Sequence, residues 1–517
     1  MPILPLLALP LALFSCAAAP RAGSDLPEEI RAVIEAPEFR HAHWGILFVD
    51  RESGETVHEW NPDKLFLPAS VTKLFSVAAA LETLGPDFRF ETTIVRRGEI
   101  DAQGSLAGDL ILVASGDLTM GGRTDSEGRI AFANSDHTYA NGNDTAQWTD
   151  PDPLAGLEDL ARQVAASGIR RLEGEVLVDE RLFDRSEGSG SGPRSLTPVL
   201  VNDNLVDLLV TPTEPGRPAN LDWRPRAAAV RVDAQVETVA REAPVDVFVS
   251  GTAPGEIRIR GRIPAGHAPL LRSIEVDDPP AFARALLIEA LRRAGLAVAA
   301  VPLGANPGDR LPPRDSVAGL PRLAALRSPP FSENARLILK VSHNLHASTL
   351  PLLLAARAGK RTLAEGLRLE AEALRRIDVP VGEISFGGGA GGSRADYVTP
   401  RATVALLRAM AARPEASLFE ASLPVLGVDG TLAKVVEAGS PARGRARAKT
   451  GTLFWDNGLS GKPLLTSKAL AGFLETAKGR RLLFAMFVNG AHLEKEDDTA
   501  RVGRVLGRLC EVVHARD

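Results

Sequence analysis

Residues 68–74 read Pro68-Ala69-Ser70-Val71-Thr72-Lys73-Leu74, and the pattern that follows puts Leu74, Ala78, Leu81 and Leu84 on one side of a helix. Gly85-Pro86 stops that helix. Upstream, residues 44–50 (Trp-Gly-Ile-Leu-Phe-Val-Asp) read as a strand, Arg51-Glu52-Ser53-Gly54 as a turn, and Glu55 to Trp60 as a returning strand. Positions i and i+3 of a helix share a face, so Lys73 comes within reach of the Ser70 hydroxyl. A serine hydroxyl is a poor nucleophile until a base takes its proton. An amine takes that proton only when neutral, a state that burial and a nearby second cation both favour. The helix start also turns the Ser70 N–H toward developing negative charge, one half of an oxyanion hole.

Two further motifs follow in the chain. Ser342-His343-Asn344 interrupts two helical patterns, at 332–341 and 345–357. A Ser-x-Asn turn serves as a helix cap. It equally offers a hydroxyl to relay a proton to a leaving amine, with the Asn amide holding Lys73 and the substrate backbone. Lys449-Thr450-Gly451-Thr452 comes after the alternating Arg443, Arg445 and Arg447, a pattern expected on a strand edge. A cation beside a hydroxyl suits a carboxylate. Gly451 lets a substrate backbone approach, and the Thr452 N–H is the candidate second oxyanion donor. Read alone, Lys449-Thr450-Gly451 is equally an ordinary turn.

Organisation changes near residue 88. Short β-like runs at 108–114, 174–179, 206–212, 228–236, 245–250 and 256–262 are separated by Gly, Pro and Asp. Residues 88–272 therefore read as one or two β-rich inserted modules. Within them 121–153, polar and rich in Gly, Asn and Asp, reads as a long surface loop. Helical periodicity returns at 280–294, and 301–330 reads as a connector. The chain ends with a hairpin, Ala469–Glu475 and Leu482–Asn489 about a turn at Lys478-Gly479, and an amphipathic helix over 498–515. Strands at both ends with helices between them predict a sheet assembled from the two termini.

Ile3 to Phe14 is an apolar run followed by small residues, the pattern of a signal peptide over 1–19. Leu13-Phe14-Ser15-Cys16 also fits a lipobox, which would anchor Cys16 by lipid. The expected location is the periplasm or another extracytoplasmic compartment. Cleavage after Ala19 leaves Cys510 as the sole cysteine, in an apolar setting that predicts a core position. The net charge of -5 gives no basic excess to grip nucleic acid, and aromatics at 5% supply no base-stacking surface. His343 with His346, and His41 with His43, lack an Asp, Glu or Cys that would complete a familiar zinc pattern, so no metal is expected.

Ser-x-x-Lys, Ser-x-Asn and Lys-Thr-Gly in this order form the set shared by penicillin-binding proteins and class A β-lactamases, with His343 where Asp is usual. The chain resembles the D-alanyl-D-alanine carboxypeptidases/endopeptidases of the low-molecular-mass, class C penicillin-binding proteins. The resemblance also rests on Gly108-Asp109-Leu110 through Gly116-Asp117, Val201-Asn202-Asp203-Asn204, Ser328-Pro329-Pro330, and Gly427-Val428-Asp429-Gly430-Thr431-Leu432. It implies an α+β fold: a β-lactamase/transpeptidase-like domain, an antiparallel sheet flanked by helices, interrupted by the β-rich insert. The expected parts are 24–87 and 273–517 for that domain and 88–272 for the insert. It further implies attack on D-Ala-D-Ala of peptidoglycan stem peptides, hydrolysis of D-Ala–diaminopimelate crosslinks, acylation by β-lactam antibiotics, and no cofactor. Ser70, Lys73, Ser342 and Asn344 are the expected catalytic residues; Lys449, Thr450, Gly451 and Thr452 are expected to bind substrate.

Two departures stand out. Gly388-Gly389-Ala390-Gly391 replaces a family Asp-Gly-Ser-Gly, losing an acid and a hydroxyl beside the site. Phe454 to Ser467 is a longer connection than usual, able to cover the cleft or to shift substrate choice. A serine β-lactamase shares all three motifs, and a non-catalytic β-lactam- or peptidoglycan-binding protein is the reading from another class. The peptidase is favoured over the first by the insert, and over the second by retention of every reactive residue.

Overall fold

The computed structural model describes residues 26–517 apart from Ser191 and Pro254. The apolar leader and Cys16 lie outside the described residues. One antiparallel sheet runs Ala446–Asn457, Lys462–Glu475, Arg481–Asn489, His43–Asp50, Thr56–Trp60 from edge to edge. The two chain termini therefore build one sheet, as the sequence predicts. His43–Asp50 and Arg481–Asn489 lie at its centre and are buried on both faces, which is why their sequences run apolar without alternation. Alternate residues still serve different cores. Leu47, Leu483 and Phe487 face the helix Pro400–Ala411 and share one core with the helices Thr72–Leu84, Phe331–Val341 and Asn344–Arg357. Ile46, Phe48 and Phe484 face the last helix, Asp498–Arg516, where Cys510 is buried as expected and its thiol pKa is raised by that burial. Phe48 and Phe484 are register partners whose rings stack at 5.3 Å.

The Thr72–Leu84 helix is the axis of the helical layer. Every residue from Thr72 to Leu81 is buried, so its sequence is apolar nearly all round. Gly85 ends it at φ 83°. Ser70 and Lys73 thus sit at the start of a rigid rod surrounded by other helices, with the turn Ala69–Val71 before it against the strands Ala446–Asn457 and Lys462–Glu475.

Residues 91–327 leave this domain and return to it. Glu91–Ile100 and Ser105–Val113 pair antiparallel, with Val176–Asp179 added in parallel. Two three-stranded sheets follow, centred on Leu205–Thr211 and Glu256–Pro264. The expected boundary at 272 falls too early. The Pro279–Arg293 helix packs into the insert's apolar core, and the strand Arg322–Arg327 pairs with Glu91–Ile100. The insert closes at Arg327. Helical periodicity shows which face of a helix is apolar, but not which of two cores receives it.

The stretch 121–153 is an irregular surface loop, as expected, but it is anchored by buried residues. Arg123, Asp136 and His137 are buried, and Ile130 packs on Leu337 and Val341. The buried polar side chains pair with one another and with Asp203, so part of the polarity here marks an internal network.

Replacing Phe484 by Ala should cost about 3–5 kcal/mol in urea-induced unfolding. Phe454→Ala, on a 39% exposed side chain, should change stability by less than about 0.5 kcal/mol.

Candidate active site

Ala69 at φ 48° opens a short 3-10 turn, Ala69–Val71, that delivers Ser70 to the start of the long helix. Two glycines let neighbouring backbone close on this turn. A Cβ on Gly391 would lie 1.9 Å from the Ala69 carbonyl, and one on Gly451 would lie 2.5 Å from the Pro68 carbonyl. Gly391 closes the Gly388–Gly391 loop, whose Ala390 carbonyl faces the site. Asp396 holds it, accepting the N–H groups of Gly387 at 2.7 Å and Ser393 at 2.9 Å.

Lys73 is the centre of the site. Its Nζ lies 2.8 Å from Ser70 Oγ, 2.8 Å from Asn344 Oδ1 and 2.8 Å from the Ala390 carbonyl oxygen. The side chain is buried. Burial first, then the charge of Lys449, holds its pKa well below the ordinary lysine value, against a weaker opposing pull from Asp396. A neutral amine has two N–H donors and one lone pair. Donation to Asn344 and Ala390 leaves the lone pair facing the Ser70 hydroxyl, the arrangement a proton acceptor needs.

Lys449 sits across the cleft. Its Nζ donates to Ser342 Oγ at 2.9 Å and to the Thr450 carbonyl at 2.7 Å, and burial brings its pKa down to about 7. Ser342 caps the Phe331–Val341 helix in the left-handed region at φ 62°, an uncommon conformation for a residue with a side chain. Tyr139, from the insert, donates to the Ser342 carbonyl at 2.5 Å. Thr450 Oγ1 donates to Thr431 Oγ1 at 2.8 Å. The Ala448 N–H points off the sheet edge to the Pro424 carbonyl at 3.0 Å. Alternation of N–H groups along a strand then aims those of Thr450 and Thr452 at the same open edge.

All eight residues expected from the sequence are brought together. Ser70, Ser342, Asn344, Thr450 and Thr452 line one cleft of about 890 Å3. Sequence reading missed the part of the wall that the insert supplies, Asn134 through Asn143, and it missed Lys468. Asn134 Oδ1 accepts the Gly430 N–H at 2.7 Å. The longer connection after the third motif is a hairpin extension of the sheet, and the Arg394 guanidinium stacks 4.2 Å over its Trp455 ring.

A buried charge network lies behind the second motif. Asp203 Oδ2 accepts from Arg123 at 2.7 Å and from His137 at 2.8 Å, while Oδ1 lies 2.7 Å from His346 Nε2 and 3.2 Å from His343 Nε2. His137 also meets Asp207 at 2.8 Å. Between these carboxylates its pKa rises to about 10 despite burial, so it is a cation; burial and His343 push His346 down to about 4. Asp203, His343 and His346 converge closely enough to hold a metal ion. However, Arg123 and protonated His137 already satisfy one Asp203 oxygen, and their charge opposes another cation there. The i, i+3 histidine pair is thus completed by a carboxylate 140 residues away, in the Val201-Asn202-Asp203-Asn204 segment. His346 Nε2 bonds to Asp203, its backbone N–H donates to His343 Nδ1 at 3.3 Å, and the two imidazoles stack at 3.7 Å, which holds His343 between Ser342 and Asn344.

Residues 26–506 match the model of the D-Ala-D-Ala carboxypeptidase 3 (S13) family. The chain belongs to this family. It is 31% identical over 519 residues to a D-alanyl-D-alanine carboxypeptidase of Actinomadura sp. (strain R39), covering 94% of this chain and 86% of that protein. D-alanyl-D-alanine carboxypeptidase DacB of Haemophilus influenzae is 25% identical, with 86% and 85% covered. The fold matches the crystal structure of Haemophilus influenzae penicillin binding protein 4 (dacB) in complex with a β-lactam: TM-score 0.65, 22% identity, 92% of this chain and 97% of that one. Membership of the S13 family makes the chain a serine-type peptidase, and it supports the penicillin-binding carboxypeptidase reading over the β-lactamase and the non-catalytic alternatives.

Asp203→Ala would leave Arg123 and His137 buried without their shared acceptor, so thermal unfolding should show a loss of about 3–5 kcal/mol. His137 also predicts a pH arm. Its folded pKa is raised, so its contribution is complete below its ordinary value of 6.5 and is lost as pH rises toward about 10. In His137→Gln that alkaline decline in melting temperature should be shallower.

Proposed function

We propose that this peptidase cuts the D-Ala-D-Ala bond of peptidoglycan stem peptides through an acyl-Ser70 intermediate. The observation that carries this reading is the buried Lys73 amine, 2.8 Å from Ser70 Oγ and beside a second buried lysine. Ser70 Oγ adds to the penultimate D-Ala carbonyl while its proton moves to Lys73. The N–H groups of Ser70 and Thr452 receive the oxyanion. The tetrahedral centre collapses, the C–N bond breaks, and the amine takes a proton from Ser342, which Lys73 or Lys449 restores. Water then attacks the ester with Lys73 again as base, releasing the shortened peptide and Ser70. Lys449 and Thr450 hold the terminal carboxylate. A β-lactam enters at the acylation step, its ring C–N bond in place of the peptide bond.

The same cleft suits the D-Ala–diaminopimelate crosslink, since the leaving centre there also carries an α-carboxylate on a D-carbon. Action on the cell wall takes place outside the cytoplasm. The apolar leader at 1–19 supports export, by signal-peptide cleavage after Ala19 or by lipid attachment at Cys16.

D-Ala release from a diacyl-D-Ala-D-Ala peptide tests the reading. Ser70→Ala should release none while keeping the wild-type melting curve. Lys449→Ala should lose on the order of 10²-fold in kcat/KM on this peptide, the worth of a hydrogen bond to a charged group. The loss should be far smaller on a thioester lacking the carboxylate. Equal losses on the two substrates would remove Lys449 from carboxylate binding.

A further inference from the structure

A third amine reaches the cleft. Lys468 lies opposite Thr452 in the sheet register, and its Nζ donates to Thr452 Oγ1 at 2.8 Å. The side chain is half-buried and lines the same cavity as Ser70 and Thr450. The fold makes room for it. A Cβ on Gly503, in the last helix, would come 3.1 Å from Lys468 Cε and 3.4 Å from its Nζ.

No carboxylate among the described residues pairs with this amine. The other charged groups lining the cavity are Asp136, which is paired with Arg123, and Lys434, Glu496 and Arg504. Burial alone lowers the Lys468 pKa, to about 8, which leaves it mainly cationic at neutral pH. Lys449 is differently placed. It is buried, hydrogen-bonded to Ser342 and the Thr450 carbonyl, and about half neutral near pH 7. A substrate carboxylate arriving at the strand edge therefore meets a first lysine already engaged in the proton path.

A hydroxyl that accepts from an ammonium keeps its own proton free to donate. Thr452 then faces the cleft as a donor, polarised by the positive charge behind it. We infer that Lys468 is a positioning and specificity residue for the substrate's terminal carboxylate, orienting the Thr452 hydroxyl toward that carboxylate and supplying the cation behind it. This rests on the reading of the cleft as a D-Ala-D-Ala site, and it assigns the second and third amines different tasks: Lys449 joins proton transfer to binding, while Lys468 serves binding alone.

The test compares wild type, Lys468→Met and Lys468→Arg on two substrates, the diacyl-D-Ala-D-Ala peptide and a thioester of the same acyl group with an uncharged leaving group. Failure of wild type to release D-Ala would defeat the functional reading itself, independently of Lys468. Given wild-type turnover, Lys468→Met should lose about tenfold in kcat/KM on the peptide, mostly through KM. Its thioester turnover should stay within about twofold of wild type, and Lys468→Arg should recover most of the peptide loss, since the cation is kept. Thr452→Val, which removes the hydroxyl but keeps the shape, should reproduce the peptide defect, and adding Lys468→Met to it should cost little more. Equal losses on both substrates, unchanged peptide KM in Lys468→Met, or additive losses in the double variant would each overturn the assignment. The Thr452→Val arm stands even if Lys468→Met fails to fold.

Discussion

Lys73 and Lys449 are both buried in one cleft, and among the described residues neither is ion-paired. Removing an ammonium from water costs several kcal/mol, and placing two together adds repulsion. The protein relieves this by letting protons go, which turns a stability problem into a supply of base. Such a site holds only if the surroundings cannot relax. The buried Thr72–Leu84 helix, the central strands and the backbone contacts at Gly391 and Gly451 provide that rigidity. Each partner of the Lys73 amine comes from a different segment: Ser70 from its own helix start, Asn344 from the next motif, Ala390 from a glycine-rich loop.

The insert reaches the chemistry from below. Tyr139 donates to the Ser342 carbonyl, Asn134 holds Gly430, and Asp203 stands against His343 and His346. Ser342 adopts a left-handed conformation that few residues with side chains accept, and strain of this kind persists where surrounding contacts over-determine it. The network from Arg123 through Asp203 and His346 to His343 supplies such contacts. The inserted residues are thus part of the scaffold of the second motif, not an appendage beside it.

Sequence periodicity and spacing carried the catalytic domain well, because its signals are local. Ser70 and Lys73 share a helical face whatever surrounds them, and the alternation around Lys449 marks a strand edge without knowledge of its partners. The terminal strands show their burial as apolar runs. What escaped was long-range. Asp203 is polar in a polar turn until the fold brings two histidines to it, and nothing near Lys468 distinguishes it from a surface lysine. The buried anchor of the surface stretch 121–153 was not legible because internal salt bridges have the composition of a solvated loop. The boundary at 272 was set by composition, whereas the pairing of Arg322–Arg327 with Glu91–Ile100 extends the insert to Arg327.

The central claim is that the Ser70 hydroxyl, deprotonated by neutral Lys73, forms the covalent bond to substrate. Mass-spectrometric mapping of the protein after brief exposure to a β-lactam tests it most directly. The account predicts one adduct of the drug's mass on the peptide carrying Ser70, formed more slowly as pH falls and Lys73 takes up a proton, and absent in Lys73→Met. An adduct on any other residue, or undiminished labelling of Ser70 in Lys73→Met, would contradict it.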